Sequence, residues 1–74
     1  MTVFPHRVKQ ARQSAGFRTP EMCAAQLEFG ISTVRRWEDG ITASPDMALV
    51  RDFCELTQVS SDWLLGLSSQ KGLR

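Results

Sequence analysis

Two adjacent arginines, Arg35 and Arg36, are the side chains of this chain best suited to recognise another molecule. A guanidinium group can donate two hydrogen bonds to the O6 and N7 atoms of a guanine, or it can pair with a phosphate. Close by, Ser32 offers a hydroxyl, and Ile31 offers an apolar group of the kind that contacts a thymine methyl. Together these four residue types could read the edges of base pairs in duplex DNA.

The segment that would carry them, residues 31–38, has the pattern of a short amphipathic helix. Val34 and Trp37 are three residues apart and share one face, so both are predicted to be buried. The four candidate base contacts fall largely on the other face, which suits a helix laid in the major groove. Asp39-Gly40 then ends the helix.

Each of these assignments has an ordinary structural alternative. The two arginines could form ion pairs with Glu38 or Asp39 on a solvated helix face. Ile31 could pack against Phe29 or the first helix, and the neighbouring hydroxyls could cap the helix start.

Start signals predict the remaining helices. Pro5 opens the first, and Thr19-Pro20-Glu21 opens the second with a hydroxyl cap, a proline and an acid. Ser44-Pro45-Asp46 repeats that signal, and Ser60 can cap a short last helix over 61–65. The predicted fold is an all-α, compact four- to five-helix bundle. Its other buried residues are expected to be Val8, Ala11, Ala15, Cys23, Ala24, Leu27, Met47, Val50, Phe53, Cys54 and Thr57.

Length and composition limit the possible functions. The chain has 74 residues, of which 42% are hydrophobic and 23% charged, as expected for one small globular domain. No apolar run approaches the ~18 residues of a membrane span. With no tyrosine, a single histidine and no nucleophile placed beside a base, the chain is not expected to be an enzyme or to bind a small-molecule substrate.

The two cysteines, Cys23 and Cys54, are interpreted as reduced core residues because both lie in apolar, helix-like contexts. A disulfide or a metal site is the alternative. His6 is the only histidine and cannot complete a site of the usual Cys/His spacing. No metal and no cofactor are therefore expected.

Charge is unevenly distributed along the chain. The net charge is only +1, but residues 1–36 carry six Lys or Arg against two Glu, a net of +4, and residues 37–74 carry three against six acids, a net of −3. This polarity indicates one face for a polyanion and another face for something else, although chance segregation is the alternative.

Taken together, two motifs resemble the helix-turn-helix domains of the phage Cro and repressor type. The resemblance covers residues 6–66, nearly the whole chain. It rests on two sets of residues: first Ala24, Leu27, Phe29, Val34 and Trp37 with Glu38-Asp39-Gly40; second Val59-Ser60-Ser61-Asp62-Trp63-Leu64-Leu65-Gly66.

The resemblance implies a DNA-binding domain over residues 1–67, followed by a flexible tail over 68–74. The helix over 31–38 would enter the major groove, and the helix before it would cross the DNA backbone. The expected base contacts are Ile31, Ser32, Arg35 and Arg36, and the expected backbone contacts are Arg18, Thr19, Gly30 and Thr33. Other basic residues, Arg7, Lys9 and Arg12, are expected to be solvated.

Three departures from the family pattern predict weaker anchoring to the DNA backbone. Glu28 stands where the turn usually has glycine, and Gly30 is the residue that could let the turn adjust. Pro20 replaces a glutamine that usually holds the backbone, and the loop over 41–44 has no Lys or Arg.

The implied function is sequence-specific regulation of transcription in the cytoplasm, with a repressor dimer occluding a palindromic operator. The expected dimer contacts are Trp63, Leu64 and Leu67, whose alternative is packing onto the first and fourth helices. A second class stays open. The domain could be a protein-interaction module, an antitoxin or phage adaptor, with weak or no DNA binding; near-neutral charge and the uncharged 41–44 loop favour it.

Overall fold

The structure is a computed structural model that describes residues 3–27, 30–41 and 45–71. Within these ranges the chain forms helices and no strand, which confirms the predicted all-α fold. The five helices are α1 (Phe4–Ser14), α2 (Pro20–Ala24), α3 (Ile31–Glu38), α4 (Met47–Thr57) and α5 (Ser61–Leu64).

Polar caps explain where three of the helices begin. The Thr19 hydroxyl accepts a hydrogen bond of 3.3 Å from the Met22 N–H at the start of α2, and Pro20 is its first residue, as predicted. The Asp46 carboxylate accepts one of 2.9 Å from the Ala48 N–H at the start of α4. Asp46 is therefore the cap of α4, whereas the predicted signal began at Ser44, which lies outside the described residues. At α5, the Ser60 hydroxyl caps as expected.

Gly40 and Gly66 reverse the chain after α3 and α5 in a backbone conformation that other residues rarely adopt. Gly40 has φ +75° and ends α3 where the sequence predicted. At Gly66, after α5, φ is +86° and a Cβ atom would lie only 2.7 Å from the Cγ2 of Val3. Gly66 therefore lets the chain turn tightly against the segment that leads into α1.

Trp37 of α3 lies at the centre of the core. Its ring meets Phe4 of α1 edge-on at a centroid distance of 5.6 Å and Phe53 of α4 at 5.8 Å. The fully buried Val34 lies one turn earlier on the same face. The predicted burial of Val34 and Trp37 is thus confirmed, and α3 is held by α1, α2 and α4 through this face.

Two residues predicted to be buried are exposed instead. Ala15 follows the last residue of α1 and caps its end, so the helical spacing no longer carries it inward. Met47 is the first residue of α4 and is 54% exposed, a full turn ahead of the buried Val50. In both cases the predicted buried face extends beyond the part of the helix that packs against the core.

Both cysteines are free and buried, as predicted. Cys23 of α2 is fully buried, and Cys54 lies in the core on α4. Burial raises the pKa of each thiol to about 11, because the charged thiolate is poorly solvated there.

Candidate nucleic-acid interface

The outer face of α3 carries the candidate base contacts. Ser32, Arg35 and Arg36 are exposed and Ile31 is half-buried, while the opposite face is in the core. One eight-residue helix therefore presents two guanidinium groups and a hydroxyl to the surroundings on a rigid support. The structure brings these four predicted residues onto one element, as the pattern indicated.

A buried ion pair fixes the carboxyl end of α3. Arg12 of α1 donates to both carboxylate oxygens of Glu38, with its Nε at 2.7 Å and its Nη2 at 3.1 Å. The remaining Nη1 donates to the carbonyl oxygen of Phe17 at 2.8 Å. The Arg12 and Glu38 side chains are only 4% and 9% exposed. This pair ties α3 to α1 and to the α1–α2 connection at once.

The expectation that Arg12 is solvated is therefore wrong. A signal was available in the sequence, because Phe4, Val8 and Arg12 recur at intervals of four and share one face of α1. A charged residue in a buried stripe needs a partner of opposite charge. Glu38 supplies that opposite charge. Neither Arg35 nor Arg36 forms an ion pair with Glu38.

The two arginines of α3 differ in their surroundings. Arg35 forms an ion pair with Glu21, which is located in the first turn of α2. Two hydrogen bonds lower the pKa of the Glu21 carboxyl. The larger effect comes from the backbone of Glu21, and the next largest comes from the Arg35 side chain. Arg36 forms no ion pair with any residue in the described ranges. Its guanidinium is thus the less engaged of the two.

Four residues were predicted to contact the DNA backbone. Arg18 and Thr19 precede α2 and are exposed, with the Thr19 hydroxyl used as the helix cap. Gly30 caps α3 without a side chain and has extended backbone, φ −73° and ψ 163°. Its φ is negative, so no special glycine conformation is needed there. Thr33 is half-buried in the first turn of α3. The positive end of the α3 dipole is therefore not neutralised by a capping side chain.

Part of the turn between α2 and α3 lies outside the described residues. Glu28 and Phe29 lie outside the described residues, and so do residues 42–44 of the loop that was predicted to lack phosphate contacts. Leu27, at the near side of the turn, is half-buried against the core.

Comparison with known families identifies the class of this arrangement. The sequence profile of helix-turn-helix domains matches residues 4–64, most of the chain. The chain belongs to the helix-turn-helix domain family. At a coarse level this membership indicates a DNA-binding regulator, from a class that is typically non-enzymatic. A search of curated proteins and a search of solved structures each found no match.

In this helix-turn-helix domain, Arg7 joins α1 to the end of α5. Its Nη1 donates to the carbonyl oxygens of Trp63 at 2.5 Å and Ser68 at 3.0 Å, and its guanidinium lies 4.9 Å from the centroid of the Trp63 ring. The expectation that Arg7 is solvated is wrong, because it satisfies carbonyl groups at the end of α5. Lys9, two residues later, is exposed as expected.

The expected dimer contacts do not form one exposed cluster. Trp63 and Leu64 are buried within the chain itself, in the core that α1, α4 and α5 share. Only Leu67, at 77% exposure, presents its side chain to the surroundings. The apolar character of Trp63 and Leu64 is thus explained by the packing that was their stated alternative.

The segment after α5 returns to the body of the helix-turn-helix domain. Lys71 makes two of these contacts. Its backbone carbonyl accepts a hydrogen bond of 2.8 Å from the Ser60 N–H, and its side-chain ammonium donates to the Ser14 hydroxyl at 2.6 Å. That ammonium is also 5.6 Å from the centroid of the Trp63 ring. Flexibility of residues 68–74 and a boundary at residue 67 remain predictions.

None of the helices in the three described ranges is long and apolar enough to cross a bilayer. Among the same residues, no three His, Cys, Asp or Glu side chains come together as a metal-ligand set.

Proposed function

We propose that this helix-turn-helix domain binds duplex DNA sequence-specifically and regulates transcription as a repressor. Helix α3 would lie in the major groove, with the start of α2 against the backbone. The observation that carries the proposal is the division of α3: Val34 and Trp37 are buried, whereas Ser32, Arg35 and Arg36 are exposed on a helix that Glu38 ties to α1.

The proposed roles follow from the chemistry of each side chain. Arg36, and Arg35 once released from Glu21, would donate to guanine O6 and N7, and Ser32 would bond a base edge or phosphate. Ile31 would contact a thymine methyl. Arg18, Thr19, Gly30 and Thr33 would contact phosphates or sugars, which positions the helix without specifying a sequence.

A homodimer is part of the proposal. Two copies would read half-sites one helical turn apart and cover a promoter between them. Leu67 is the expected dimer contact with an exposed side chain, so Leu67→Asp should weaken association and leave the core intact. Light scattering over a range of concentrations measures this. A wild-type chain that stays monomeric up to ~1 mM excludes the dimer.

The experiment that tests DNA recognition is selection from a random-sequence duplex pool, followed by fluorescence anisotropy on the selected duplex. Arg36→Ala should reduce affinity for that duplex about 5- to 150-fold, the value of a bidentate arginine–guanine contact. Arg51→Ala is the matched control, since Arg51 is an exposed arginine on α4, outside the helix-turn-helix pair, and its guanidinium lies 3.7 Å from the Asp52 carboxylate.

The expected result is a selected motif, a loss for Arg36→Ala and no loss for Arg51→Ala. Selection of the same motif with the same affinity by Arg36→Ala removes Arg36 as a reader. Failure of the wild type to enrich any motif at low salt overturns the proposal.

The second candidate function is docking of a partner protein. The observation that favours it is a groove on α4 and α5 whose floor is mostly apolar; it is lined by the exposed Met47 with Val50, Cys54 and Ser61, and by the charged Arg51 and Glu55. The two candidates differ in their response to salt. A phosphate-contacting domain loses DNA affinity steeply as salt rises, whereas a protein-docking module shows weak DNA binding at every salt concentration.

A further inference from the structure

We propose that Glu21 is a specificity-determining residue: its carboxylate withholds Arg35 from DNA phosphates and releases it only to a base edge in the major groove. The inference rests on the proposed function, because it concerns how the same face distinguishes one DNA sequence from another. It makes the two neighbouring arginines of α3 unequal. Arg36 would serve general attraction to DNA as well as base recognition, while Arg35 would serve recognition alone.

The geometry that supports it is an ion pair across the two helices of the motif. Glu21 is in the first turn of α2 and Arg35 is in the middle of α3, and their side chains form a direct hydrogen bond. Both side chains are on the outer surface, at 54% and 57% exposure. The carboxylate thus stands on the element that would cross the DNA backbone, beside a residue that would face the bases.

The exposure of this pair decides how strongly it can hold. Exposed ion pairs shift an equilibrium by only about 1- to 5-fold, so DNA can displace Glu21 from Arg35. A bidentate contact with guanine is worth about 5- to 150-fold, which exceeds that cost. A phosphate contact is worth at most about 8-fold, close to the cost of breaking the pair, and the Glu21 carboxylate repels a phosphate that comes beside Arg35.

Non-specific binding gives the size of the expected effect. Each phosphate neutralised by a cation adds about 0.9 to the slope of log affinity against log salt, which is roughly 8-fold in affinity at ~0.1 M salt relative to 1 M. While Glu21 neutralises Arg35, that cation contributes little to random-sequence binding. Removing the carboxylate should therefore raise the affinity for a random duplex by most of this 8-fold.

The experiment compares Glu21→Gln with Glu55→Gln by fluorescence anisotropy on a random-sequence duplex and on the selected duplex. Glu55 is an exposed acid on α4, so its replacement changes the net charge equally and leaves the motif untouched. Glu21→Gln should bind the random duplex about 3- to 8-fold more tightly, with a salt slope steeper by about 0.9. Its affinity for the selected duplex should rise by no more than the about 1- to 5-fold that breaking the ion pair costs, and by less than its affinity for the random duplex. Glu55→Gln should change neither affinity by more than about 2-fold.

A second set of variants gives an independent result. Arg36→Gln should weaken random-duplex binding by up to about 8-fold, whereas Arg35→Gln should weaken it by less than about 2-fold. Both should weaken selected-duplex binding. The double variant Glu21→Gln/Arg35→Gln should return random-duplex affinity to the wild-type level.

The outcomes separate this inference from the proposed function. Equal gains in random-duplex affinity for Glu21→Gln and Glu55→Gln would mean that only net charge matters. Weaker binding of both duplexes by Glu21→Gln would mean that Glu21 positions Arg35 for all DNA. Either result overturns this inference and leaves the proposed function standing. Binding of no duplex by the wild type at ~50 mM salt overturns the proposed function as well.

Discussion

The carboxylate of Glu38, the last residue of α3, accepts two hydrogen bonds from Arg12 of α1, and neither side chain is more than a tenth exposed. This pair and the Trp37 ring hold the helix that presents Arg35 and Arg36. Recognition of a base edge tolerates little displacement, so the orientation of α3 is as important as its side chains.

The first prediction concerns that pair. Arg12→Ala or Glu38→Gln should each lower the free energy of unfolding by about 3–5 kcal/mol, because each leaves an unpaired polar group in the core. Urea unfolding measures it. The double variant Arg12→Met/Glu38→Leu should lose much less, since no charge is left buried. Single variants that cost less than about 1 kcal/mol would show that the pair is hydrated and does not hold α3.

The second prediction concerns Arg7 and Trp63. Arg7→Gln removes two hydrogen bonds to carbonyl groups and the cation over the indole ring, and should cost about 1–2 kcal/mol of unfolding free energy. Quenching of tryptophan fluorescence by iodide should increase, because the Trp63 ring loses its cover. Lys9→Gln, on the exposed side of α1, is the control and should change neither quantity. Equal effects of the two variants would contradict this role for Arg7.

The third prediction concerns the buried thiols. The pKa of Cys23 and Cys54 is about 11 in the folded chain and 9.0 ordinarily, so between these values the unfolded chain binds fewer protons than the folded one. The free energy of unfolding therefore has its full value below pH ~9. It falls as pH rises, by about 1 kcal/mol per thiol between pH ~9 and ~10.

Urea unfolding of the wild type and of Cys23→Ala/Cys54→Ala at these two pH values tests this. The double variant should show the flatter dependence on pH, whatever its absolute stability. Parallel curves would mean that the thiols titrate normally, and rapid alkylation of the native thiols at neutral pH would agree with that contrary result.

The fourth prediction concerns Glu21 in acid. Its pKa is lowered from 4.5, so its contribution to stability is present above pH ~4.5 and is lost as pH falls through the lower folded value. NMR titration of the side-chain carboxyl should give a midpoint below 4.5 in the wild type. In Arg35→Gln the midpoint should rise only part of the way, because the backbone hydrogen bond, the larger cause, remains. An unchanged midpoint would show that the Arg35 pair is absent in solution.

Much of the fold was predictable from local signals. The helix over residues 31–38 has the bounds expected from its apolar spacing and from Gly40, and Trp37 is buried as its position indicated. Thr19-Pro20 begins α2 for the reasons of capping chemistry that apply to any chain. These features depend on neighbours within about one helical turn.

The partners of the charged residues were not predictable in the same way. Arg12 meets Glu38 across 26 residues, and Arg7 meets carbonyl groups near the end of the chain, so both contacts depend on how distant helices pack. Spacing within α3 offers Glu38 or Asp39 as partners for Arg35, but its partner is Glu21 on the preceding helix. A spacing rule within one helix cannot find an acid on another.

Backbone amide shifts during NMR titration with the selected duplex test the central claim most directly. The account predicts that the largest shifts fall on residues 30–36, which are the cap and first turns of α3, and on residues 18–21 at the start of α2. Residues 51–55 of α4 should shift little, and all shifts should diminish as salt is raised from about 50 to 200 mM. Shifts concentrated around Met47 and Cys54, or shifts indifferent to salt, would contradict it.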